Sequence, residues 1–141
     1  MARAVLVARL LLGLALVFFG LNQVFVFVAP PENAFPPEAM AFLGALEGAV
    51  YFQPLKVFVE VLAGVLFLTG LFVPLALVLF APILVNIVGF HLFLDDPANG
   101  VVGYVMLALE LFLAWAYAPA FRGVLAARGA MRGRGSSPTC S

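Results

Sequence analysis

Residues 10–31 carry no charged side chain, and neither do residues 61–94. A bilayer core takes roughly 20 apolar residues of helix at about 1.5 Å of rise each, so these two runs constrain the chain more than any other feature. The first run supplies one spanning helix. The second is too long for one span and too short for two, and it breaks naturally at Gly70-Leu71-Phe72-Val73-Pro74, where Gly ends a helix and Pro opens the next. The helix that ends there must then begin near Pro54, which draws Lys56 and Glu60 into it. A fourth apolar segment runs from Val101 to Ala118 with Glu110 as its one charge. The expected fold class is therefore an all-α membrane protein, a four-transmembrane-helix bundle with spans at about 5–28, 54–71, 75–94 and 101–118.

Composition agrees. Of 141 residues, 65% are hydrophobic and 10% charged, whereas a soluble domain is about half apolar and a quarter charged. Seven Lys/Arg balance seven Asp/Glu, which leaves no basic footprint for nucleic acid. The one cysteine, Cys140, allows neither an internal disulfide nor a dithiol pair. Arg3 and Arg9 ahead of Leu10–Leu21 resemble a signal peptide, but the apolar run continues to Ala29 without an A-x-A-like cleavage site, so a retained helix is expected.

Orientation follows from the basic residues. Arg3 and Arg9 flank the first span, and Arg122, Arg128, Arg132 and Arg134 follow the last, while the connections at 29–53 and 95–100 hold Glu32, Glu38, Glu47, Asp95 and Asp96. Basic residues stay inside, so both termini are expected to be cytoplasmic and both acidic connections outside. The spanning domain would cover 1–122, and the Arg/Gly/Ser-rich stretch 123–141 would form a polar, disordered cytoplasmic tail. In the first outer connection, Pro37-Glu38 opens a short amphipathic helix whose apolar face is Ala39, Leu43, Leu46 and Val50.

Polar groups inside a span need a partner, a wet cavity or a task. Arg9, Gly13, Leu16, Gly20 and Gln23 form one stripe of the first helix, with glycines that admit a close neighbour. Compatible faces and depth suggest an ion pair between Arg9 and Glu110, and Lys56 to Glu60 is an i,i+4 pair. Asn22, Glu60 and Asn86 are the candidate lining of an outward-facing pocket, with His91 nearer its mouth. Glu60 is its expected energetic centre, unless Lys56 simply holds it in place. No catalytic residue and no metal site is expected.

Four motifs in order carry a family resemblance: Arg9-Leu-Leu-Leu-Gly13 leading to Phe19-Gly20-Leu21-Asn22-Gln23; Glu60-Val-Leu-Ala-Gly64 running into Gly70-Leu-Phe-Val-Pro74; Ala81-Pro82-Ile-Leu-Val-Asn86-Ile; and His91-Leu-Phe-Leu-Asp95. Over residues 7–122 the chain resembles the DoxX family of small bacterial membrane proteins. The resemblance implies a four-helix bundle in the bacterial inner membrane. It also implies a link to membrane redox assemblies, because DoxD-type relatives are associated with thiosulfate:quinone oxidoreductase.

With no paired cysteines, haem-ligand histidines or dinucleotide fingerprint, the redox cofactor left open is a quinone held by aromatic packing and a few polar groups. The expected function is a non-catalytic subunit that binds a quinone or another small hydrophobic molecule within a larger membrane assembly. The expected partners are the lipid bilayer, that molecule and membrane oxidoreductase subunits or further copies of the chain. The alternatives are a small-molecule transporter acting as a homo-oligomer, the membrane subunit of a thiosulfate:quinone-type oxidoreductase, or a scaffold whose Arg-rich tail touches lipid.

Overall fold

The structure, a computed structural model, describes residues 1–29, 31, 34–123 and 125. Glu32 and most of the expected tail, including Arg128, Arg132, Arg134 and Cys140, lie outside the described residues. The described chain is helical without a strand: α1 (Ala2–Phe25), α2 (Pro37–Gly48), α3 (Phe52–Thr69), α4 (Val73–Phe93), α5 (Val101–Ala116) and the short α6 (Ala118–Phe121), with a 3-10 turn at Pro97–Gly100 ahead of α5. Four of these elements are long and apolar enough to cross a membrane: α1, α3, α4 and α5 with its preceding turn. They form a ring in which α1 packs on α3, α3 on α4, α4 on α5 and α5 back on α1.

The tightest seam joins α1 to α3. A Cβ added at Gly13 would lie 2.9 Å from the Gly64 carbonyl oxygen, and one at Gly64 would lie 2.9 Å from the Gly13 oxygen. At the next level Gly20 rests on Val61 and Glu60, so the register runs antiparallel and the glycine stripe of α1 is the face turned to α3. The core is filled by Leu12, Leu16, Phe67, Phe80, Leu84 and Leu113, all essentially inaccessible. Outward faces are equally apolar, with Leu14, Phe18, Phe58, Val85, Leu111 and Trp115 exposed. A bundle apolar on both sides gains nothing from hiding leucine. Close backbone approach through small residues then does the work of association.

Helix ends have local causes. α1 stops at Phe25 although the apolar run continues, because Val26 turns left-handed (φ 47°) and its N–H donates to the Asn22 carbonyl. A β-branched residue rarely adopts that conformation. The Asn22 side chain holds it there, donating to Val28 O at 3.0 Å while Oδ1 accepts from Val28 N–H at 2.8 Å. α3 ends at Gly70 in the left-handed region (φ 75°), and α4 starts with Pro74 in its first turn. Both break residues therefore act as expected, two residues closer to the N-terminus than the span limits drawn from hydropathy.

A helix does form at Pro37–Gly48, with Ala39 buried, Phe42, Leu43 and Leu46 half-buried, and Glu38 and Glu47 exposed. Val50 lies beyond its end and is exposed. Phe42 of α2 and Phe35 just ahead of it reach α4 through aromatic contacts with Phe90, at ring-centroid distances of 6.0 and 5.5 Å.

Candidate functional site

At the end of the bundle that carries α2, a cleft of about 290 Å³ opens between α1, α3, α4 and α5. Asn22, Glu60 and His91 line it, as does the unpredicted pair Gln23 and Lys56. By helical rise, Glu60 lies about 12 Å along α3 from its start and Lys56 about 6 Å, so the cleft is polar down one side. Its remaining walls include Leu16, Phe19, Ile87, Val102 and Met106.

Three of these side chains form a closed cluster. Lys56 Nζ lies 3.0 Å from Glu60 Oε1 and donates to Gln23 Oε1 at 2.7 Å. Gln23 Nε2 donates to Glu60 Oε2 and also approaches the Phe19 carbonyl at 3.3 Å. Glu60 is 3% exposed and Lys56 20%, so the carboxylate is enclosed while the ammonium reaches the cleft. Counting donors makes the chemistry plain. Both Gln23 amide hydrogens and two of the three Lys56 hydrogens are engaged, and the third has no protein acceptor among the described residues. The cluster can therefore present one charge-assisted donor to an oxygen bound in the cleft.

Near the mouth, His91 Nδ1 donates to Asp95 Oδ2 at 2.9 Å, and Asn99 Nδ2 donates to the same carboxylate at 3.2 and 3.3 Å. Asp96 closes the following turn by accepting from Ala98 N–H. With Nδ1 committed to Asp95, the neutral imidazole keeps Nε2 as an acceptor. Burial works to raise the Asp95 pKa, but the Asp96 backbone, His91 and Asn99 together outweigh it and leave the value below the ordinary 3.8. A depressed carboxyl stabilises the fold fully above its unfolded value and loses that contribution as pH falls through the folded value. The hydrogen-exchange protection of the 94–100 amides, taken relative to the intrinsic rate at each pH, is thus expected to fall below about pH 3.8, and Asp95→Asn should flatten that dependence. Identical pH profiles for the two proteins would show that the carboxylate does not hold the turn.

Two expected placements differ. Asn86 is exposed on a separate groove of about 370 Å³ between α3 and α4, where Leu55, Val59, Val78 and Pro82 surround it and only Lys56 is shared with the cleft. The expected Arg9–Glu110 contact does not form. Among the described residues the ion pair of a Lys or Arg side chain is Lys56–Glu60, and both Arg9 Nε and Glu110 Oε2 are buried without a hydrogen-bond partner. The Arg9 guanidinium instead lies across Gly70, where an added Cβ would come within 2.5 Å of Nη1. There it faces the negative end of the α3 dipole. Asn22 lines the cleft, and it gives one amide hydrogen and its oxygen to closing α1.

Gln23 and Lys56 are the polar site residues that sequence reasoning left out of the pocket. The signal was present: Gln23 continues the stripe of Gly13 and Gly20, and whatever packs on those glycines also meets Gln23. Among the described residues no three of His, Cys, Asp and Glu come together as metal ligands. No family model, curated protein or solved structure matches the chain.

Proposed function

We propose that this chain is a DoxX-like integral membrane protein that binds a small lipid-soluble carbonyl compound, such as a quinone, in the cleft beside Lys56. In this reading it serves as a non-catalytic subunit of a larger bacterial inner-membrane assembly. The observation that carries it is the uncommitted hydrogen of Lys56, fixed by Glu60 and Gln23 in a cleft otherwise walled by apolar and aromatic side chains. Ligand sites of this kind combine an apolar lining with a few placed polar groups. A quinone oxygen would accept from Lys56, and its ring and tail would lie against Phe19, Ile87 and Met106. A hydroxyl on the bound molecule would donate to His91 Nε2, which the Nδ1–Asp95 bond leaves free.

Decylubiquinone titrated into the protein in lipid nanodiscs tests the reading. Glu60→Gln frees Lys56 from one anchor and should weaken binding several-fold in a folded protein. The double variant Lys56→Met/Glu60→Gln removes the donor and should weaken binding at least ten-fold. Wild-type affinity in the folded double variant would refute the assignment.

The same reading places the cleft mouth outside the cell and both termini inside, as the basic ends and acidic connections suggest. Ala34→Cys and Ala98→Cys should each react with an impermeant thiol reagent added to intact cells, and native Cys140 should not. Labelling of Cys140 in intact cells would invert the orientation.

A further inference from the structure

We propose that the cavity between α1 and α5 binds a phosphate group, carried by an anionic phospholipid and held by the Arg9 guanidinium and the Tyr117 hydroxyl. The cavity lies at the end of the bundle opposite α2 and measures about 600 Å³, with Val5, Leu6, Arg9, Ala116 and Tyr117 in its wall. It shares no lining residue with the cleft beside Lys56, so the site stands independently of quinone binding.

Arg9 is a charge without an acceptor among the described residues. Its Nε is enclosed, and no occupant of the cavity reaches it. The two Nη nitrogens keep accessible surface and donate to no protein group, so four N–H donors remain on offer. The α3 end that Arg9 faces across Gly70 supplies a dipole of about half a charge and no hydrogen bond, which offsets the guanidinium only in part. No carboxylate borders the cavity, and Glu110 borders a separate cleft between α4 and α5. Gly70 also fixes where the donors sit. A Cβ there would lie 2.5 Å from Nη1, 2.7 Å from Cζ and 2.9 Å from Nη2, so the guanidinium occupies the place a side chain would take. Tyr117 is half-buried, and its hydroxyl is likewise without a partner and not enclosed. A fixed planar fork of donors fits two oxygens of one phosphate, and the hydroxyl adds a third contact. The apolar part of the wall indicates the source of that phosphate. Leu6 is 45% exposed beside the cavity, so acyl chains can stay in the bilayer while the headgroup enters. An anionic headgroup suits the site better than a choline one, whose ammonium would add a second positive charge beside Arg9.

Native mass spectrometry of the full-length protein in mild detergent, titrated with phosphatidylglycerol, provides the test. Phosphatidylglycerol should bind about ten-fold more tightly than diacylglycerol with the same chains, which lacks the phosphate. Arg9→Gln should abolish that preference and Tyr117→Phe should reduce it several-fold. Arg3→Gln changes an exposed arginine at the same end, outside the cavity wall, and should leave it intact. Millimolar inorganic phosphate should not displace the lipid; displacement would keep the phosphate site and assign it to a soluble ligand. Equal affinity for the two lipids overturns the proposal, and that comparison stands in the wild-type protein even if a variant does not fold. An undiminished preference in a folded Arg9→Gln protein overturns it as well. An equal loss in Arg3→Gln does the same, since surface charge alone would then hold the lipid.

Discussion

Gly64→Leu is expected to prevent α1 and α3 from docking and to cost about 3 kcal/mol or more, at the upper end of overpacking penalties. Even the first carbon of the new side chain would sit 2.8 Å from Val17 Cγ2, 2.9 Å from the Gly13 carbonyl oxygen and 3.0 Å from the Val17 nitrogen. Two of those three atoms are backbone, so no rotamer change relieves the contact. The helices would have to separate along the seam that holds Gln23 against Glu60, and the cleft would go with it. Gly64→Ala places only the Cβ there and should cost about 1–3 kcal/mol. Gly89→Ala is the matched control, since nothing lies within 4 Å of its Cβ position. It should be neutral, or stabilising by up to about 1 kcal/mol from helix propensity. Reversible unfolding in lipid bicelles would rank the three variants, and a Gly64→Leu protein as stable as Gly89→Ala would mean that the seam is not formed.

The glycine seam also marks what could be read from the residues alone. The stripe of Gly13, Gly20 and Gln23 repeats with the helical period, and periodicity is a property of sequence; which helix packs on that stripe is a property of the tertiary structure, and it is α3. The Gly70–Pro74 break was legible for the same reason, being written in two residues with fixed backbone preferences. The end of α1 was not. Hydropathy continues through Val26, Phe27 and Val28, and the stop depends on an amide reaching six residues ahead to Val28. That bond exists only once the chain has turned.

Asn22 was accordingly read as a ligand-facing group without the second role it has, since one of its amide hydrogens and its oxygen bond Val28. Arg9 failed differently. Its face and depth were compatible with Glu110, but a long side chain has many reachable partners, and the α3–α4 turn presents Gly70 at the same level. Asn86 was placed by its helix face and its depth, and neither decides which of two grooves a residue borders.

Lys56→Met should destabilise the bundle more than Glu60→Gln does, although the two changes delete opposite ends of one ion pair. The asymmetry comes from burial. Removing Lys56 leaves a carboxylate that is 3% exposed with only the Gln23 amide to stabilise it, and breaking a buried pair in this way costs roughly 3–5 kcal/mol. Removing the Glu60 charge leaves Lys56, which is 20% exposed and carries a flexible stem that can extend toward the cleft mouth. Gln also keeps an acceptor for Lys56, so a loss of about 1 kcal/mol is expected. The double variant Lys56→Met/Glu60→Gln no longer buries an unpaired charge, and it should recover most of what Lys56→Met loses. The cycle therefore closes with a coupling of about 2 kcal/mol or more between the two positions. Equal losses for the two single variants, or losses that simply add in the double one, would mean that Lys56 does not neutralise Glu60. In that case the donor geometry on which quinone binding rests would fall with it.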